Sequence, residues 1–582
     1  MTRLSWLCTA FVLVVLPMPA IGQSSDTAVI RYEDLQHPVL SATGMVAAQN
    51  KQSAAVGAQI LAAGGSAVDA AIATGFSLAV TLPRAGNLGG GGFMLIHAAA
   101  SGENIAIDYR EIAPLLATRD MYLDENGDVD TTRSRFSHLA AGVPGTVSGF
   151  YAAHSKLGRL PWKDLLQPAI EQARDGIVVS YDLAEFLRGR KTRLCRNAAA
   201  CAYYYKSDGS TYAAGDILVQ ADLANTLKLI ADQGPDAFYK GDIAELIAAE
   251  MRRGGGLVDM RSLAAYKPAI RAAISGSYRG FEIVTMPPPS SGGVHVLQML
   301  NILEHFPVAE MGAASADSVH LLAEVARLAF ADRSKHLGDP DYYEVPVDWL
   351  TSKAYGDQLA AGIDMRAARD SNDVLPGVAA LQESEDTTQF SVIDSDGNVV
   401  SNTYTLNFSF GSGIAVPGAG FLLNNEMDDF SAKPGVMNAF GMLGGDANAV
   451  ASGKRPLSSM TPTIVFDDGE PWFATGSPGG SRIITVVLQM IVNVIDHGMN
   501  IAEAANAPRM HHQWYPDRLL LEPGFSPDTV KLLRERGHEV QIATHSSGST
   551  QTVGYRDGIY RGASDTRRPN AGAVAPEATT AE

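Results

Sequence analysis

Positive charge is scarce in this chain: 45 lysines and arginines stand against 63 aspartates and glutamates, a formal net charge of −18 over 582 residues. That balance repels phosphate backbones and anionic bilayers, and it means that an anionic substrate needs a local cationic residue to hold it. Cysteine is scarcer, with three in all. Cys8 falls in an N-terminal leader, and Cys195 and Cys201 are left to form a small disulfide or to stay as free thiols; neither carries the marks of a catalytic thiol. No segment has the about 20 consecutive apolar residues of a transmembrane helix. The thirteen histidines show no H-E-x-x-H or comparable spacing, and His511 and His512 are neighbours that point different ways on a strand, so a zinc site is not expected. Asp124 to Asp128 lacks the glycine and closing glutamate of a calcium loop and reads as a turn. Gly89 to Gly92 is followed by no Gly-Lys-Ser/Thr, so close backbone approach explains the glycines better than phosphate binding does.

What is present belongs to a globular protein, 46% hydrophobic and 19% charged, long enough for two or more domains or one large fused one. Residues 1–22 combine Arg3, an apolar run from Leu4 to Leu16, and the small residues Ala20 and Gly22. They read as a secretory signal peptide cut before Gln23, with an uncleaved anchor as the alternative, which points to a secreted or periplasmic product.

From Gly44 to His97 the pattern runs helix, loop, strand, with Ser66 capping a second helix that Pro83 ends. Ile105 to Tyr109 reads as another strand, and Arg110 at its end is a candidate cation for an acidic substrate. Residues 136–275 alternate amphipathic helices with short loops. Residues 361–386 have weak periodicity and end in the polar run Glu383-Ser384-Glu385-Asp386, where a chain cut is easily tolerated.

A hairpin follows at 387–407. If Ser395-Asp396-Gly397 is a three-residue loop with Gly397 left-handed, Asp394 pairs with Asn398 and Thr387 lies opposite Thr405; a two-residue turn would place Leu406 there instead. Beyond it come an acidic cluster (Glu426, Asp428, Asp429), the paired hydroxyls Ser458 and Ser459, and Gly479-Gly480 at the start of an apolar helix. The N–H groups of such a turn can stabilise an oxyanion.

These stretches, D-T-T-Q-F-S-V-I-D, T-Y-T-L-N, L-L-N-N-E-M-D-D-F-S, K-R-P-L-S-S-M-T-P-T and T-G-S-P-G-G-S-R-I, resemble the motifs of γ-glutamyltranspeptidases. Upstream, G-G-S-A-V-D-A-A, N-L-G-G-G-G-F-M-L, D-Y-R-E-I-A-P and M-P-P-P-S-S-G-G resemble the same family. The resemblance implies an α+β fold of four layers, αββα, built by two subunits of one precursor that cuts itself between Asp386 and Thr387. The large subunit would run over 23–386 and the small one over 387–582.

It also implies roles. Thr387 would be the nucleophile, beside Thr405. Arg110, Ser458 and Ser459 would hold the α-carboxylate of a γ-glutamyl group, Asn407, Glu426 and Asp429 its α-amine, and Gly479 and Gly480 the oxyanion. Donors would be glutathione and other γ-glutamyl compounds, acceptors water, amino acids or dipeptides, with no metal or cofactor. Gln389 stands where histidine is common, and Phe440 where a lid tyrosine is often found, so lid closure is expected to be looser. A glutaryl or β-lactam acylase is the rival enzyme reading, against which both Glu426 and Asp429 argue. An uncleaved binding protein is the rival from another class.

Overall fold

The computed structural model describes residues 36–374, 387–433, 435–436 and 444–577. The leader, Asp386 and Phe440 lie outside them.

Local signals act where they were expected. Asp69 N donates to Ser66 Oγ and the Asp69 carboxylate takes the Ser66 N–H, a capping box that starts the Ala67–Thr81 helix. Every residue of that helix is buried, so it works as an internal element, apolar and small on all sides.

Two seven-stranded antiparallel sheets form the centre. In the first, the Thr387–Asp394 and Val399–Thr405 strands lie side by side, flanked by Gly44–Ala48 and Gly91–Ala98. The second sheet includes Phe281–Thr285, Thr463–Asp467, Glu470–Thr475 and Gln551–Arg556. Strand alternation sorts the side chains. Phe390 and Val392 pack with Ile72 and Phe76 of the Ala67–Thr81 helix. Ile393 joins Met45 and Phe93 against Ile464 and Phe473 of the second sheet, a core that continues into the helices Gly292–Leu303 and Arg482–Ile495. The order is helix, sheet, sheet, helix, the expected αββα arrangement. Burying one such Phe or Ile is worth about 1.5–3 kcal/mol.

The face between the sheets also carries a polar seam. Ser391 Oγ donates to Gln551 O and Ser401 Oγ to Thr475 O, each at 2.8 Å. Gln389 accepts from Thr403 Oγ1 at 2.6 Å and donates to Ser391 and Ser401 at 3.1 Å. An amide is therefore fully satisfied where a histidine was the expected residue. Thr387 and Thr405 terminate this seam.

One reading is corrected. Gly44–Ala48 is a strand, not the start of a helical stretch. It is buried along its whole length, so it shows no alternation, and its pairing with Phe390–Asp394 comes from far along the chain. Cys195 and Cys201, left open above, are bridged, with Cα atoms 4.4 Å apart. No helix among the described residues is long and apolar enough to cross a membrane.

Candidate active site

Turn chemistry sets the geometry. Asp394 N donates to Asn398 O at 3.1 Å, Gly397 is left-handed at φ 86°, and the Asp394 carboxylate takes the N–H groups of Asp396 and Asn398. The three-residue loop puts Thr387 opposite Thr405, the first of the two registers considered. Thr387 Oγ1 donates to Thr405 Oγ1 at 3.5 Å, and Thr405 Oγ1 accepts the Asn407 N–H at 2.8 Å. The glycine run backs this end of the hairpin: Asn87 Nδ2 holds Thr405 O at 2.9 Å, and a Cβ on Gly90 would come within 2.0 Å of that same oxygen. Backbone crowding is what those glycines serve.

A small pocket opens on the two threonines, lined also by Arg110, Asn407, Glu426, Asp429, Ser458, Ser459 and Gly480. Gly479, one residue behind Gly480, does not line it. Both glycines have positive φ, 133° and 55°, at the turn into the Arg482–Ile495 helix. Among the described residues their N–H groups meet no backbone acceptor, which leaves donors at the positive end of a helix dipole. Met460 and Ile483 complete the wall.

The charged end is a crowded ion cluster. Arg110 pairs with Glu426 and Asp429 and lies 3.7 Å from Glu111. Its Nε and Nη2 donate to Pro456 O and Leu457 O at 3.3 Å. Burial works against the Arg110 charge, but Glu426 and Asp429 outweigh it and raise its pKa. For the acids burial wins. It raises Glu426 well above the usual carboxylate range and raises Asp429, in both cases against the pull of Arg110, and it pushes Glu111 up to about 8. Among the described residues Glu426 Oε2, Asp429 Oδ1 and both Glu111 oxygens have no hydrogen-bond partner. Asp428 turns the other way, to Ser134 Oγ at 2.6 Å and Arg135 Nε at 3.3 Å.

Two charged residues escaped the sequence reading. Arg333 is buried behind the serines, donating from Nε to Ser291 Oγ at 2.8 Å and from Nη2 to Ser459 Oγ at 3.3 Å. Burial pushes its pKa down to about 10, opposed by Asp429. Ser458 Oγ accepts from Met460 N at 3.1 Å, which leaves its own proton for a ligand carboxylate. Glu111, the other omission, stands beside Arg110 within a recognised motif, yet only packing reveals that it faces the cluster. Asn407 (φ 74°) donates from Nδ2 to Asn425 O at 3.0 Å, which leaves its side-chain oxygen as an acceptor.

Among the described residues, one group of possible metal ligands lies elsewhere: His320, Glu324 and His538. His320 Nδ1 meets His538 Nε2 at 2.8 Å, His320 Nε2 meets Asp364 O at 2.9 Å, and Glu324 accepts from Arg369 N at 3.2 Å. Of the three, only the two histidines bond to each other; Glu324 is held by Arg369 N and lies 3.4 Å from Arg327.

The γ-glutamyltranspeptidase family model matches residues 53–575. The chain is 54% identical to a glutathione hydrolase proenzyme of Escherichia coli (strain K12), covering 92% of each. It is 40% identical to the acylase ACY 1 proenzyme of Pseudomonas sp. (strain SE83), covering 90% of this chain and 92% of that one. Its fold matches the crystal structure of a cephalosporin acylase from Bacillus halodurans with a TM-score of 0.82 and 26% identity, covering 98% of this chain and 100% of the other. With the family model spanning most of its length and the glutathione hydrolase ahead of the acylase in identity, the chain belongs to the γ-glutamyltranspeptidase family and is an enzyme of that class, a γ-glutamyltransferase and glutathione hydrolase.

Proposed function

We propose that, after loss of residues 1–22 on export, the precursor cuts itself between Asp386 and Thr387 into subunits 23–386 and 387–582, which stay together as the working enzyme. The cut turns Thr387 into an N-terminal residue whose α-amine, with a reference pKa of about 7.7–8.0, draws the proton from its own hydroxyl. Thr387 Oγ1 attacks the γ-carbonyl of glutathione or a related γ-glutamyl compound, and Thr405, 3.5 Å away, steadies that oxygen. The Gly479 and Gly480 N–H groups take the oxyanion. The α-amine returns the proton to the departing amine as the C–N bond breaks. The γ-glutamyl ester is then released to water or to the amine of an amino acid or peptide.

The cluster supplies the recognition. Glu426 and Asp429 exchange Arg110 for the substrate ammonium, with the Asn407 side-chain oxygen as a third acceptor. The released guanidinium, with Ser458 and Ser459, receives the α-carboxylate. A glutaryl side chain has no ammonium and would leave both acids facing a ligand that offers them no cation.

The observation that carries this reading is the hairpin register, which aligns the Thr387 and Thr405 hydroxyls at the wall of the cavity that holds the charged cluster. A denaturing gel with N-terminal sequencing, run beside turnover of a chromogenic γ-glutamyl anilide, tests it. Two chains, one beginning at Thr387, are expected together with anilide release; a single full-length chain would defeat the processing claim.

A further inference from the structure

Arg333 takes no part in the steps above, and its setting differs from that of the other buried arginines. Among the described residues Arg84, Arg110, Arg327, Arg333, Arg455 and Arg509 are buried. All but Arg333 have a carboxylate within ion-pair distance. Arg333 is held only by the hydroxyls of Ser291 and Ser459. Its sequence neighbour Asp332 is engaged by Gln298 Nε2 at 2.6 Å and by Tyr355 OH at 2.9 Å. Burial lowers the Arg333 pKa only to about 10, so the side chain is cationic at neutral pH. A buried cation without an anion is the costly half of an ion pair, and a ligand anion would complete it.

Both hydroxyls lead to the nucleophile's pocket. Ser459 lines it. A guanidinium has donors only, so Ser459 Oγ accepts from Arg333 and its O–H is turned off that axis. Ser291, at the start of the Gly292–Leu303 helix, accepts from Arg333 Nε and donates from its own hydroxyl to Ser458 O at 2.7 Å. The Ser291 N–H donates to the same oxygen at 2.7 Å, and Ser458 N donates back to Pro289 O at 2.9 Å. Ser290 Oγ adds a bond to Met460 O at 2.7 Å. The 289–291 stretch is thus stitched to 458–460, and Arg333 is bonded to both sides of the seam. Asp429 and Arg110, which line the same pocket, act on the Arg333 charge, the first favouring it and the second opposing it.

We propose that Arg333 is a positioning residue of the α-carboxylate site: it fixes Ser459 directly and Ser458 through Ser291, and the substrate carboxylate supplies the anion that the fold does not give it. Arg110 touches the carboxylate, and Arg333 acts on it through the serines. The inference rests on the γ-glutamyl reading above and gives that site its demand for a carboxylate on the α-carbon.

The test compares wild type with Arg333→Gln, Arg333→Lys and Ser291→Ala on two anilides, γ-glutamyl and 4-aminobutyryl. The second has the same amine and scissile amide, with hydrogen in place of the α-carboxylate. Arg333→Gln should raise KM for the γ-glutamyl anilide about tenfold and keep kcat within about threefold, the scale of one lost charge-assisted bond. Its kcat/KM for the 4-aminobutyryl anilide should stay within about twofold of wild type, because that substrate has no carboxylate to lose. Arg333→Lys, which keeps the charge, should recover most of the KM. Ser291→Ala, which keeps the guanidinium and cuts its link to Ser458, should raise KM about threefold. Equal losses on the two anilides, or an unchanged KM in Arg333→Gln, would overturn the role. Should Arg333→Gln not fold, an unchanged KM in Ser291→Ala would overturn it. Wild type inert toward the γ-glutamyl anilide would instead overturn the γ-glutamyl reading beneath it.

Discussion

Two buried ion clusters in this molecule solve the same electrostatic problem in opposite ways. Arg509, Arg567, Glu522 and Asp565 balance two guanidiniums against two carboxylates. Arg567 bonds to Glu522 at 2.6 Å and to Asp565 at 3.1 Å, and Arg509 to Asp565 at 2.7 Å. Backbone groups take up the remainder, with Arg509 N on Glu522 at 3.0 Å and Thr550 N on Asp565 at 3.2 Å. Burial pushes Asp565 up, but Arg509 and Arg567 prevail and hold it below the usual carboxylate range. Around Arg110, by contrast, three acids crowd one guanidinium, burial raises all three, and four carboxylate oxygens lack partners among the described residues. The first cluster is complete as folded; the second keeps acceptors without partners among the described residues, as the proposed ammonium site requires. Unsatisfied buried acceptors, not burial of charge as such, separate the proposed binding site from the structural network.

Breaking the balanced cluster should have the largest effect. Asp565→Ala leaves two buried guanidiniums short of a partner and should lower unfolding free energy by about 3–5 kcal/mol in a denaturant titration. The fraction that remains folded should keep its kcat for anilide release. Asp429→Asn reverses the pattern: kcat/KM for a γ-glutamyl anilide should fall about 100-fold, the scale of a lost buried charge contact. Thermal stability should not drop, because Arg110 keeps Glu426 and Glu111. A loss of stability as large as that of Asp565→Ala would erase the distinction between the clusters.

Glu111→Gln gives the smallest and most diagnostic shift. The folded pKa of Glu111, about 8, lies above its unfolded value of about 4.3. Its favourable contribution is therefore fully present below about pH 4.3 and is lost as pH rises through 8. Wild type and Glu111→Gln should melt together near pH 4, and the variant should melt about 2 °C higher at pH 8. Melting curves that stay parallel over that range would show that Glu111 does not carry the strain.

The hairpin was legible because its register follows from three loop residues, Ser395-Asp396-Gly397, whose conformations are set locally. The helix capped by Ser66 and the glycine turn before the Arg482–Ile495 helix were legible for the same reason. Arg333 was not, because nothing within its own helix separates a buried guanidinium from a solvated one. Ser459 and Ser291, which give it a purpose, are distant in sequence. The Gly44–Ala48 strand was misread because it is buried on both faces and leaves no period-two trace. His320 and Glu324 stand one turn apart on the Ala316–His336 helix, but His538 joins them only through tertiary packing, which no spacing rule reaches. Of the candidate site, the polar residues and Gly480 that line the cavity were named through motif resemblance, whereas Met460, Ile483 and the groups that orient the polar residues became visible only in the packed structure.

The central claim is that Thr387 Oγ1, made available by the chain cut, carries the γ-glutamyl group. It is tested most directly by acid-quenching the enzyme during turnover of a γ-glutamyl donor and mapping the adduct by peptide mass spectrometry. The account predicts one γ-glutamyl group, labile to hydroxylamine, on the peptide that begins at Thr387, and neither adduct nor processing in Thr387→Ala. An adduct on any other residue, or a Thr387→Ala protein that still cuts itself and turns over the donor, would contradict it.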